Sequence, residues 1–347
     1  MVLEFQPNDV ARFPHTIGFS RWFLNFSLTT LRPSRRLPVN SKAASLLTGR
    51  RATIPSFVMK PEPPFSHLEA AYQLHFYLCF KTHYLRQVFD TDDVRTLVDG
   101  ALREAADRED YHVLETQVAT DHLRLLLSLK PEQTISRAVM MLKGNISRQF
   151  SVACPGRLAE LRMKSPWAKG YYAASSGKVD VASARAYVES QVSHHGYRGE
   201  WTDGLKYSNP NFQSPAFTLD HCACRLAYHL VFVMKWRASV FDDSIAQRLF
   251  PYVVAVGAKR GFAVEKMSVL PDHIHLLIEA LPTVSIVACA LSILNNTFHW
   301  METNYSGVLK QTGAWDVWQP SFYAGTVGDY TTAQVKRFLR DGTGPTE

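Results

Sequence analysis

Apolar and polar positions along this chain change period in a fixed order, and that order occurs twice. An apolar, β-rich stretch over 72–80 is followed by apolar residues at helical spacing over 92–108, then by two strand-like runs at 111–119 and 122–129 rich in Val, Leu and Ile. A long helix over 134–150, a Trp-bearing loop, a strand at 170–175 and a last helix at 180–193 complete the set. The same string returns as 226–234, 244–260, 262–269, 273–280, 284–302, 321–327 and 331–340. The order β-α-β-β-α-β-α predicts an α+β fold of two tandem ferredoxin-like units, each an antiparallel sheet with helices on one face. Fused copies of one unit are expected to pack as an intramolecular pseudo-dimer about a pseudo-two-fold axis.

Residue identities support the repeat. Thr120-Asp-His-Leu-Arg-Leu-Leu-Leu127 resembles Pro271-Asp-His-Ile-His-Leu-Leu-Ile278, an offset of 272 − 121 = 151 between Asp121 and Asp272. The same offset puts Trp167 on Trp318, Tyr172 on Tyr323, Gly177 on Gly328 and Arg185 on Lys336. Upstream, Phe76–Lys81 pairs with Leu230–Lys235, and Val88-Phe89 with Val240-Phe241. The expected organisation is an extension over 1–65, a first domain over 66–193, a Gly, Pro, Asn and Ser-containing linker over 194–221, and a second domain over 222–347.

Composition adds less. A length of 347 residues with 46% hydrophobic content suffices for two cores, and a net charge of +7 with a pI near 9.1 favours a polyanion partner. Five cysteines form no CxxC pair, and Cys222 with Cys224 is too close for a zinc knuckle, so a reducing compartment is expected. No apolar run is long enough to span a bilayer, which leads to the expectation of a soluble, cytoplasmic protein without a membrane partner. Residues 1–65 hold seven arginines and no acid between Asp9 and Glu62. That pattern fits a transit peptide, a basic arm for nucleic acid, or a loosely ordered extension.

Two places carry candidate chemistry. His273 and His275 flank Ile274 in a strand, so both imidazoles leave one face and suit a shared metal ion, with Asp272 placed to orient one of them. Histidines in buried strands are more often packing or surface residues than ligands, so this pair does not stand alone. Tyr187 and Gln191 lie four residues apart and share a helix face, an arrangement that an ordinary amphipathic helix also produces.

With these landmarks in order, the sequence resembles the HUH single-tyrosine transposases, including those associated with repetitive extragenic palindromes. The resemblance spans both copies. It rests on Lys235-Trp-Arg237 after the opening strand, the Pro-Asp-His-Ile-His strand, Trp318-Gln-Pro-Ser-Phe-Tyr323 with Gly328, and the tyrosine-bearing helix. It implies that His273, His275 and Gln191 hold a divalent cation, Mg²⁺ or Mn²⁺, and that Tyr187 attacks DNA to form a 5′-phosphotyrosine. Neither copy has the full set. The first has His122 and Arg124 at the histidine positions, and the second has Phe338 and Gly342 at the tyrosine and glutamine positions. These losses are complementary, so one composite site is expected, with Tyr187 and Gln191 of copy one meeting His273 and His275 of copy two.

The function implied is nicking and joining of single-stranded DNA, with a hairpin in the substrate and a single chain mimicking the family dimer. Arg137, Lys143, Arg148, Arg162, Lys164, Lys169, Lys235 and Arg237 are candidate phosphate contacts. Trp167, Trp315, Trp318, Tyr171, Tyr172 and Tyr323 are candidates either for stacking on unpaired bases or for the core. The alternative is a non-catalytic hairpin-binding or regulatory protein derived from such an enzyme. A purely structural scaffold leaves the four site residues unexplained.

Overall fold

The computed structural model describes residues 63–191, 205–215, 217–219 and 222–341. Most of the N-terminal extension, the start of the linker and Gly342 lie outside them. In the first copy β2 (His75–Lys81) turns Phe76, Leu78 and Phe80 into the core, as strand alternation requires. Helix α1 (Asp92–Arg108) starts where Thr91 accepts a hydrogen bond from Val94 N, and it buries Val98, Ala101, Leu102, Ala105 and Ala106. After it come β3 (His112–Val118), β4 (His122–Ser128), α2 (Ile135–Ala153), the short α3 (Pro155–Glu160), β5 (Tyr171–Ser176) and α4 (Val181–Glu189). The strand order β3-β4-β2-β5, antiparallel throughout, is ferredoxin-like. The second copy repeats it with β9 (Ala227–Met234), α5 (Asp243–Arg260), β10 (Phe262–Leu270), β11 (His273–Ala280), α6 (Ile286–Thr312), β12 (Trp318–Val327) and α7 (Thr332–Asp341).

The copies exchange edges. Strand β1 (Glu69–Gln73) leaves β2 at the buried Leu74 and runs parallel to β12 in the other copy's sheet. Its counterpart β8 (Cys222–Arg225) leaves β9 at the buried Leu226 and runs parallel to β5. The last helices cross as well. Val181 and Ala184 of α4 pack on Ala227, Leu277 and Val327, while Val335 and Leu339 of α7 pack on Leu126. At the crossing, Thr326 Oγ1 donates to Ser176 O (2.6 Å) and accepts from His75 N (2.9 Å). Ser175 Oγ donates to Val327 O (2.5 Å) and accepts from Ala227 N (2.9 Å), the same pattern with the copies interchanged. Gly177 and Gly328 permit this approach, because a Cβ on either would meet a backbone carbonyl oxygen at 2.0 or 1.9 Å.

Three expectations change. The stretch 72–80 is not one strand but parts of two, since continuous extended backbone says nothing about which sheet each half joins. The linker carries strands: β6 (Lys206–Ser208) pairs with β10, and β7 (Phe217–Leu219) forms an antiparallel pair with β8. The opening strands also match at a different register. Lys81 stands opposite His122, and Val233 opposite His273, so Lys81 corresponds to Val233 rather than to Lys235. The slip is two residues, which leaves every side chain on its face and so is invisible to hydrophobic alternation. No described helix is long and apolar enough to cross a membrane.

Candidate active site beneath the exchanged helix

Strand β11 buries Ile274 on one face and holds His273 and His275, each 4% exposed, on the other. His273 Nδ1 lies 2.5 Å from Asp272 Oδ1, and Arg237 Nε donates to Asp272 Oδ2 at 2.7 Å. Burial alone would raise the Asp272 carboxyl, but His273 and Arg237 outweigh it and hold it below its ordinary value. His275 Nδ1 lies 3.0 Å from Nε2 of His229 on β9, with the rings stacked at a centroid distance of 5.3 Å. Burial lowers His229 to about 4, so this imidazole stays neutral. With Nδ1–H of each strand histidine donating to its neighbour, Nε2 is the ring nitrogen left in the acceptor form that a metal ion requires.

Helix α4 brings the other half. Asp180 caps it by accepting from Ser183 N (2.7 Å), and ion pairs from Arg185 to Glu265 and from Glu189 to Lys266 tie it to β10. The ring of Tyr187 lies 5.9 Å from that of His275 and 5.7 Å from that of His229. Burial raises the Tyr187 phenol above its ordinary value, and hydrogen bonding with Gln191 offsets part of that rise. Gln191 is 0% exposed and its Nε2 donates to Tyr187 O at 2.8 Å. Its Oε1 is a buried acceptor without a hydrogen-bond partner among the described residues. Such an atom costs free energy unless a donor or cation meets it.

Two residues of this site are new relative to the sequence reading. His229 stands alone in an apolar strand, and only the two-residue register change aligns it with Tyr77 of copy one. Ser268 pairs with His275 across β10 and β11, is fully buried, and has a hydroxyl without a hydrogen-bond partner among the described residues. No motif marks it. Tyr323 also lines this region near His229, its phenol pushed up to about 12 by burial and by Tyr187.

The matching pocket of copy one is filled differently. His122 Nδ1 lies 2.6 Å from Asp121 Oδ1, as in copy two, but Arg124 takes the position of His275 and lies over the Phe338 ring at 4.9 Å. Its Nη1 donates to Gln117 Oε1 (3.1 Å), and Tyr77 stands where copy two has His229, its phenol pushed up to about 12 by burial.

The candidate phosphate contacts divide. Lys143 Nζ donates to Ala168 O and Gly170 O at 2.7 and 2.9 Å, so it braces the Trp loop instead of facing solvent. Arg137 pairs with Glu109, Arg148 donates to Asn145, Lys235 pairs with Asp316, and Arg237 reaches Asp272. Arg162, Lys164 and Lys169 are exposed. Of the candidate stacking residues, Trp167 and Trp318 are core, because Trp167 Nε1 donates to Lys143 O and Trp318 Nε1 to Thr297 Oγ1. Trp315 and Tyr172 are exposed, and Tyr171 and Tyr323 are partly buried.

No three His, Cys, Asp or Glu side chains form a metal-binding group among the described residues. A cation here would rest on two imidazoles and an amide oxygen, and the buried Oε1 of Gln191 fits that role.

A family model described as "Transposase IS200 like" matches residues 70–191 and 222–341. The ISDra2 transposase TnpA of Deinococcus radiodurans is 29% identical over 115 residues, or 33% of this chain and 82% of that protein. The transposase for insertion sequence element IS200 of Salmonella typhimurium is 26% identical over 117 residues, or 34% of this chain and 76% of that protein. Among solved structures, a REP-associated tyrosine transposase bound to a REP hairpin is 13% identical, covering 36% of this chain and 70% of that one with a TM-score of 0.24.

Proposed function

This chain belongs to the IS200-like transposase family over both of its copies, and on that premise we propose that it cuts and rejoins single-stranded DNA at one site drawn from the two copies. Tyr187 is the nucleophile, and His273, His275 and Gln191 are the ligands of a divalent cation, Mg²⁺ or Mn²⁺. The observation that supports this reading is the Tyr187 ring of copy one lying 5.9 Å from the His275 ring of copy two. When bound, the cation supplies positive charge that offsets charge accumulating on the phosphate in the transition state. Asp272 and His229 orient the two ligand imidazoles.

Tyr187 Oη gives up its proton and attacks phosphorus. The P–O3′ bond breaks, the 5′ phosphate becomes a tyrosine ester, and the other strand leaves with a 3′ hydroxyl. Attack by a second 3′ hydroxyl reverses the step, so joining needs no nucleotide cofactor. The test is incubation with single-stranded DNA bearing a hairpin, in the presence of Mg²⁺ or Mn²⁺. A protein–DNA adduct stable to denaturation is expected from the native chain and absent from Tyr187→Phe, which still binds. An adduct that survives Tyr187→Phe means that another residue attacks.

A further inference from the structure

At the end of the opening strand of each copy, two consecutive residues with side chains enter the left-handed region. They are Tyr84 and Leu85 in copy one (φ 55° and 52°) and Trp236 and Arg237 in copy two (φ 58° and 54°). This conformation costs free energy for any residue with a Cβ, and glycine or asparagine would hold it at less cost. Yet Tyr84 and Trp236, 80% and 74% exposed, are the two most exposed aromatic side chains among the described residues. Neither contributes to the core. The turn therefore carries both backbone strain and an unburied ring, and strain of this kind gathers at functional sites.

Comparison of the two copies singles out the aromatic. The turn reads His83-Tyr84-Leu85 in one copy and Lys235-Trp236-Arg237 in the other. Only the middle position keeps its chemical kind. Nearby, the position of His275 in copy two is occupied by Arg124 in copy one, so the copies differ there in chemical kind. A cation accompanies each ring, with Arg86 at 5.9 Å from the Tyr84 centroid and Lys235 at 5.1 Å from the Trp236 centroid. An exposed π face beside a cation is what an unpaired base and its phosphate engage together; on Tyr84 the His83 ring stacks at a centroid distance of 4.3 Å, which leaves the opposite face for a base.

The turn is also joined to the site. Arg237, next to Trp236, donates to the carboxylate that holds His273, and Met234 N donates to Asp272 O at 2.8 Å. In copy one Thr82 N donates to Asp121 O at 2.8 Å, beside His122. We infer that Trp236 is a stacking platform for an unpaired base of single-stranded DNA next to the site at His273. Tyr84 is its counterpart for a second single-stranded segment at the pocket that has Phe338. This inference rests on the reading of the chain as a protein that acts on single-stranded DNA.

The test measures binding of the full chain to a dye-labelled oligothymidine and to a blunt DNA duplex by fluorescence anisotropy at fixed salt. Trp236→Ala is expected to weaken oligothymidine binding roughly tenfold and to leave duplex binding unchanged, and Trp236→Tyr is expected to retain it. Trp236→Gly separates stacking from folding, because it should melt at or above the native temperature while binding as poorly as the alanine variant. Equal binding of oligothymidine by the native chain and Trp236→Ala overturns the stacking platform and leaves the proposed function standing. A fall of the same size for the duplex also overturns it. Failure of the native chain to bind oligothymidine also overturns the platform, and the proposed function falls only when hairpin-bearing DNA gives no adduct.

Discussion

Each histidine of the proposed cation site is oriented by a different kind of neighbour. His273 has a carboxylate beside Nδ1, whereas His275 has a neutral, buried imidazole. Orienting partners of this kind are worth roughly 10–100-fold in metal affinity or activity. His229→Phe, which keeps the ring and removes the acceptor, is therefore expected to raise the Mn²⁺ concentration for half-maximal adduct formation by roughly that factor. An unchanged Mn²⁺ titration would mean that packing alone orients His275. His273, His275, Tyr187 and Gln191 stood out in the sequence as candidates because their spacings put each pair on one face and the resemblance implies a role for them. His229 was not, since one histidine in an apolar strand is an ordinary core residue until the strand's register is known.

At the scale of elements, the decisive features are the crossing strands and the exchanged helices. A methyl group on Gly177 or Gly328 would meet a carbonyl oxygen of the opposite copy, an atom that cannot swing aside as a side chain can. Gly177→Ala and Gly328→Ala are each expected to destabilise by about 1–3 kcal/mol or more, read as a lower urea midpoint with an unchanged slope. Helix α7 offers a contrast, because its contact with sheet residues includes Arg124 over Phe338. Arg124→Ala should lower stability by about 0.5–2 kcal/mol while leaving the yield of adduct unaffected. Loss of the adduct in that variant would place Arg124 in the reaction rather than in the packing of α7. The repeat offset of 151 found both glycines as a matched pair, but only the crossing shows why neither tolerates a Cβ.

For the whole molecule the proposed function implies asymmetry. On that reading copy two supplies His229, His273 and His275 and copy one supplies Tyr187 and Gln191, while the matching pocket holds Tyr77, His122, Arg124 and Phe338 instead. Saturating labelled single-stranded DNA is expected to give at most one covalent adduct per chain, and His273→Ala or His275→Ala should remove it. Two adducts per chain, counted by intact mass, would show that the pocket at Arg124 also cuts.

The amino-acid sequence by itself determined the β-α-β-β-α-β-α order inside each copy, the duplication and the residue differences between the copies, because period, spacing and residue kind are local properties of the chain. Tertiary structure decided which sheet each strand half joins, as with β1 and β8, whose extended backbone is compatible with either. It also decided which residues of β2 and β9 correspond between the copies, since a slip of two residues keeps every side chain on its face. Pairing of β9 with β11 sets His229 beside His275, and Tyr187 reaches both only when the last helix of one copy packs on the sheet of the other. That packing is set by which apolar faces are left to bury, Val181 and Ala184 against Leu277 and Val327, and no local pattern specifies it.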